Sequence, residues 1–160
     1  MQIRPYRRGE EDALHAVFYS SVHEIAARQY TPSQIEAWAP CAVDAVLWQK
    51  RIQSISPYVV EVGGQIAAYG DLQAHGYIDH FFVAGRFGRQ GVGTALMQFL
   101  LAQASRQGIA EITSDVSLAA QAFFESFGFR YVEHKVVTIR GVELANALMA
   151  RSSGGQSSGS

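Results

Sequence analysis

The chain has 160 residues, is 48% hydrophobic and 17% charged, and carries a formal net charge of -1. That is room for one domain with a core and not for two, and the balance lacks the cationic surplus or dense Lys/Arg block of a general nucleic-acid or membrane-surface binder. Cys41 is the single cysteine, which excludes an internal disulfide and a multi-cysteine metal site. Met1 to Pro5 lacks the apolar run of a secretion signal and no later run reads as a bilayer span, so the expected location is the cytoplasm.

Gln2 to Tyr6 reads as a first strand, followed by a helix of about 18 residues from near Glu10. Leu14, Val17, Phe18, Val22 and Ile25 recur at helical spacing and form its core stripe. His15, Tyr19 and His23 lie on the other face, but the two histidines stand about 12 Å apart along the axis, too far to share a metal. No metal site is expected. Thr31, Pro32 and Gln34 spell a capping box with proline at the first helical position. A third helix, from about Asp44 to Ser54, is expected to bury Val43, Val46, Leu47 and Trp48.

From Tyr58 the period changes to that of strands. Tyr58 to Val62, a Gly63-Gly64 turn and Gln65 to Gln73 form a hairpin, and Tyr77 to Val83 adds a third antiparallel neighbour. Next comes a glycine-rich turn at the start of a long amphipathic helix after Gly91. Unpaired backbone N–H groups at such a start form an anion cradle. The remaining elements are a strand at Glu111 to Asp115, a helix at Leu118 to Phe127 stopped by Gly128, and strands at Phe129 to Ile139 and Val142 to Met149. Residues 151–160, rich in Gly and Ser, are expected to form a disordered tail after a single domain spanning 1–150.

The phosphate loop is neither of two common kinds. No lysine precedes Thr94 as a Walker loop requires, and Gly91-Val92-Gly93 lies mid-chain after antiparallel strands rather than near the first strand of a parallel unit. Gly88-Arg89-Gln90-Gly91-Val92-Gly93 instead resembles the Gln/Arg-x-x-Gly-x-Gly/Ala loop of the GNAT family of acetyl-CoA-dependent N-acyltransferases, with Gly88 at the position where Gln or Arg is usual. Ser117 to Phe129 resembles a second segment of that family, Asn-x-x-Ala-x-x-Phe-Tyr-Glu-x-x-Gly-Phe. The resemblance spans about Met1 to Met149, and the stretch from Tyr30 to Ala39 is similar to one uncharacterised bacterial branch of the family.

The resemblance implies an α+β GNAT fold, with a mixed, mostly antiparallel central sheet of about seven strands flanked by helices. It also implies transfer of an acetyl group from acetyl-CoA to a primary amine of a small molecule or peptide, by direct attack with both substrates bound. Phe81, Phe82 and Val83 would then align the pantetheine arm, Gly88, Arg89, Gln90, Gly91, Val92, Gly93 and Thr94 would hold the pyrophosphate, and Ser117 would replace a cofactor-contacting Asn. Phe124 stands where many members place a tyrosine that protonates the leaving thiolate, and Tyr131, Ser126 or water are the candidate replacements. An alkylamine with a pKa near 10.4 costs roughly 4.6 kcal/mol to deprotonate at pH 7. Asp79, His80, Glu61 and Asp115 are candidates to take that proton, with Asp79 and His80 foremost. Phe124 also motivates a second reading, an acyl-CoA-binding regulatory module that has lost catalysis. An exposed final strand would offer an edge for a homodimer.

Overall fold

The computed structural model describes residues 1–153. Its strands are β1 (Gln2–Pro5), β2 (Tyr58–Val62), β3 (Gln65–Gly70), β4 (Tyr77–Ile78), β5 (Phe81–Val83), β6 (Glu111–Ser117), β7 (Arg130–Ile139) and β8 (Val142–Ser152). The helices are α1 (Glu11–Ser20), α2 (Pro32–Trp38), α3 (Ala45–Ile55), α4 (Val92–Arg106) and α5 (Gln121–Ser126). The α+β class is as expected, but the eight strands form two sheets of four, ordered β1-β2-β3-β5 and β4-β6-β8-β7. All pairings are antiparallel except β4 with β6.

The division falls inside the stretch expected to be one strand, Tyr77 to Val83. Tyr77 and Ile78 pair with β6, whereas Phe81 to Val83 pair with β3. Between them, the N–H groups of Asp79 and His80 both donate to Asp71 Oδ1, at 2.8 and 2.7 Å. Asp71 is fully buried, and its own N–H donates to His80 O at 3.1 Å. One carboxylate thus satisfies the two donors that neither sheet can use, and the chain passes from one sheet to the other without orphaning them.

The β1-β2-β3-β5 sheet is buried on both faces. Val59 and Tyr69 pack with Leu14 and Val17 of α1 and with Val22 just beyond it, while Val60 and Ala68 pack with Leu96, Met97 and Leu100 of α4. The predicted first helix continues past α1 as a π-turn at Ser21–Ile25 and a 3-10 turn at Ala26–Arg28. The capping box at Thr31 and Gln34 forms as expected, with both reciprocal bonds. Tyr30, just before it, links distant parts: its hydroxyl donates to Ala145 O at 2.6 Å and accepts from Leu118 N–H at 2.9 Å.

Three expectations are corrected. Val43, Val46 and Leu47 are 46, 59 and 63% exposed, because α3 meets α1 through Trp48 and buries Ile52 and Ile55 instead. The final strand runs beyond Met149 to Ser152, since Glu111 and Ile112 of β6 supply partners for Ser152 and Arg151, and Arg151 Nε donates to Phe127 O. The expected tail therefore begins later, and residues 154–160 lie outside the described residues. The final strand is also interior, between β6 and β7, so the open edge on that side of the sheet belongs to β7.

Tyr30→Phe would leave Ala145 O without its donor and Leu118 N–H without its acceptor. We expect a loss of about 1–3 kcal/mol in unfolding free energy, read from urea titrations.

Candidate active site

Where the sheets part, a cleft of about 530 Å3 opens between β5, the end of β6, β8 and the helices before β2. Its lining includes Phe18, Tyr30, Trp38 and Trp48 on the helical side and Asp79, His80, Phe81 and Phe82 along the β4–β5 crossing. Ser117, Phe124 and Asn146 come from the second sheet and α5.

Among the described residues β5 is an edge strand with only β3 beside it. His80 O accepts from Asp71 N–H, just past β3, at 3.1 Å, Ala84 N–H donates to Ala67 O of β3 at 2.9 Å, and an antiparallel ladder alternates. The N–H and C=O groups of Phe81 and Val83 therefore point away from β3, toward the gap, where an extended ligand can add as a further strand.

Beyond β5 the chain makes a 3-10 turn at Gly85–Phe87, passes Gly88 in an extended conformation, and turns through positive φ at Arg89 (60°) and Gly91 (78°) into α4. No side chain caps this helix. The N–H groups of Val92, Gly93 and Thr94 thus lack partners inside the helix. A side chain at Gly93 would meet Val83 at 3.4 Å and Phe123 at 3.5 Å, so the loop lies close against β5. Arg89 and Gln90 are exposed, and the Gln90 amide donates to Arg86 O at 3.0 Å.

The candidate catalytic residues separate in space. His80 and Asp79 both line the cleft; Tyr131 is 41% exposed on β7, its hydroxyl 3.4 Å from Gln121 Oε1, and it does not line the cleft. Phe124 lines it but is 2% exposed, its ring centroid 5.6 Å from that of Phe81 and 5.0 Å from that of Phe129. Glu61 lies outside the cleft lining and accepts from Arg4 at 3.0 Å. Asp115 lines the cleft, but accepts from the Tyr77 hydroxyl at 2.8 Å and from Lys135 Nζ at 3.0 Å. Asp79 forms an ion pair with Arg51 of α3.

The environment of His80 is specific. Burial pushes its pKa down to about 4; Asp79 opposes that shift and Arg51 reinforces it. The ring is therefore neutral at pH 7. Its Nδ1 lies 2.9 Å from the hydroxyl of Tyr69, which is fully buried and whose own pKa burial pushes well above the ordinary tyrosine value. That hydroxyl has no other acceptor among the described residues, so it donates to Nδ1 and leaves the ring proton on Nε2. His80 consequently offers an N–H rather than a lone pair.

Arg51, Asp71, Tyr69 and Asn146 were not picked out from sequence. The nearness of Arg51 to Asp79 depends on how α3 lies on α1, which no local pattern records. Asn146 Oδ1 is buried with no hydrogen-bond partner among the described residues, an acceptor left over for a ligand N–H.

Two splayed sheets, one antiparallel and one mixed, an open strand edge at the splay and an uncapped helix start beyond it define an acyltransferase of the GNAT class. The model of the acetyltransferase (GNAT) domain matches residues 26–150, and the chain belongs to that family. It is 34% identical over 149 residues to the uncharacterized N-acetyltransferase YafP of Escherichia coli (strain K12), covering 93% of this chain and 94% of that protein. Among solved structures, a GCN5-related N-acetyltransferase from Rhodopseudomonas palustris, described as an aminotransferase, class-II, is 28% identical with a TM-score of 0.89 and covers 94% of each chain. YncA from Salmonella typhimurium, a putative acetyltransferase solved with acetyl-CoA, is 17% identical with a TM-score of 0.67 and covers 95% of this chain and 93% of that one.

The His80 imidazole, followed by NMR, is expected to remain neutral down to about pH 5 and to titrate near 4. Arg51→Gln removes a cation that disfavours protonation and leaves Asp79 unneutralised, so the midpoint moves upward, toward 6.5. An unchanged midpoint in that variant would contradict the electrostatic reading of the cleft.

Proposed function

We propose that the chain transfers an acetyl group from acetyl-CoA to a primary amine by direct attack within the cleft, with the acceptor a small molecule or peptide. The observation that carries this reading is the open edge of Phe81 and Val83 in line with the uncapped start of α4. An arm bearing amides fits the first, and a pyrophosphate fits the second. A relative solved with acetyl-CoA, YncA, shares the fold.

In this reading Arg89 to Thr94 hold the pyrophosphate mainly through backbone N–H groups, which is why glycine at position 88 is tolerated. Phe81 to Val83 align the pantetheine arm, and Ser117 and the Asn146 carbonyl oxygen meet the ligand from the second sheet. The amine nitrogen attacks the thioester carbonyl carbon, the C–S bond breaks, and the coenzyme leaves as thiolate or thiol. His80 Nε2–H orients the acetyl oxygen. The ammonium proton passes through water toward Asp79, the cleft carboxylate on the same crossing segment.

Phe124 has no proton to give the thiolate, and its buried ring is part of the floor under Phe81. A thiol with pKa near 8.5 leaves unprotonated at pH 7 at a cost of only about 2 kcal/mol. The missing hydroxyl therefore slows turnover without preventing it.

Thiol release from acetyl-CoA with a panel of amines tests the reading. Asp79→Asn is expected to lower kcat about 100-fold. His80→Gln, which keeps an N–H donor, should retain more activity than His80→Phe. Gly93→Val pushes a side chain toward Val83 and Phe123 and should raise the KM for acetyl-CoA with little change in the acceptor KM. Phe124→Tyr distinguishes the regulatory alternative: a large gain from near-zero activity marks a lapsed enzyme, and a change under about tenfold marks one that works without that donor.

A further inference from the structure

We infer that the acceptor is a monoamine carried on an aromatic or bulky apolar body, selected by Trp38 and Trp48; this deepens, and rests on, the acetyltransferase reading above. The half of the cleft opposite α5 is built of rings. The Phe18 ring centroid lies 5.3 Å from that of Trp48, 5.0 Å from that of Phe82 and 6.5 Å from that of Trp38, and the Trp48 ring lies 6.1 Å from that of His80. The two indoles are only partly buried, although Trp carries the largest apolar surface of any side chain. Covering those faces with an apolar body removes that surface from water.

The charges on the lining point the same way. Asp79 is paired with Arg51, and Asp115 is held by Lys135 and Tyr77, so each carboxylate of the lining already has its partner. Arg140, also on the lining, donates to Ala37 O beside Trp38 and has no acidic partner among the described residues. A polyamine or a lysine-rich peptide would bring cations to a wall whose carboxylates are already paired and whose Arg140 has no acidic partner among the described residues. A monoamine brings one ammonium, which the ring faces attract and which loses its charge before attack. The specificity therefore comes from the rings, with His80 and Asp79 at the reacting end.

The chain's only tryptophans are Trp38 and Trp48, so intrinsic fluorescence reports on this wall without any turnover. Titration of the full chain with 2-phenylethylamine is expected to change tryptophan emission saturably, whereas spermidine should not. In the thiol-release assay with acetyl-CoA, 2-phenylethylamine is expected to exceed spermidine and a lysine peptide in kcat/KM by at least about tenfold, the size of one lost apolar contact. Trp38→Leu removes a ring that makes no hydrogen bond among the described residues, unlike Trp48, whose indole N–H donates to Glu11 O. It should raise the 2-phenylethylamine KM about tenfold with kcat and the acetyl-CoA KM nearly unchanged.

Preference for spermidine or the peptide would overturn the inference and leave the acetyltransferase reading standing. Saturable fluorescence without thiol release from any amine, with acetyl-CoA bound, would support the ring-lined acceptor wall and overturn the transfer reading. Absence of any saturable emission change would overturn the inference itself.

Discussion

The Asp71 carboxylate is the constraint on which the site depends. Two sheets diverge at a segment of two residues, Asp79 and His80, and strand divergence normally strands backbone donors in the interior. A buried acceptor for both N–H groups removes that cost, and its own charge is tolerated because it also receives the Gln73 amide. Burial still pushes the Asp71 pKa up, the mark of a carboxyl kept in a low-dielectric place by hydrogen bonds rather than by a cation. The cleft, the open edge of β5 and the placing of Asp79 and His80 at its wall all follow from that divergence.

The same crossing organises the electrostatics. Tyr69, one strand over, is sealed beneath His80 and assigns its tautomer, while Arg51 reaches in from α3 to neutralise Asp79. A histidine that is neutral, half-buried and proton-bearing at Nε2 is suited to donate a hydrogen bond and poorly suited to take a proton. In the proposed reaction the candidate pair from sequence, Asp79 and His80, divides into a proton acceptor and a hydrogen-bond donor. Both residue types were legible, but the division of labour required the third and fourth members of the network.

Legibility differed with the range of the interaction. The capping box at Thr31 and Gln34, the Gly63-Gly64 hairpin and the glycine-rich start of α4 are local devices, written within a few residues and found where expected. The apolar periodicity of the first helix predicted its buried Leu14, Val17, Phe18 and Val22, which pack toward the sheet, whereas Ile25 at the end of that stripe is exposed. Periodicity failed for α3, where Val46 and Leu47 match a core stripe but are exposed, while Trp48 meets α1 and Ile52 and Ile55 are buried. It failed again for Tyr77 to Val83, where a continuous apolar strand pattern conceals a change of partner.

The sequence by itself determined the α+β class, the glycine-rich start of α4 and the aromatic and carboxylate residues from which the cleft is made, since these rest on spacing, turn chemistry and residue type. The tertiary structure decided which residues meet: Asp71 with the N–H groups of Asp79 and His80, Arg51 with Asp79, Tyr69 with His80, and Trp38 and Trp48 around Phe18. The reason is physical. Caps and turns are governed by bonds between neighbours in the chain, whereas a site between two sheets is set by side chains far apart in sequence whose proximity exists only after the sheets have packed.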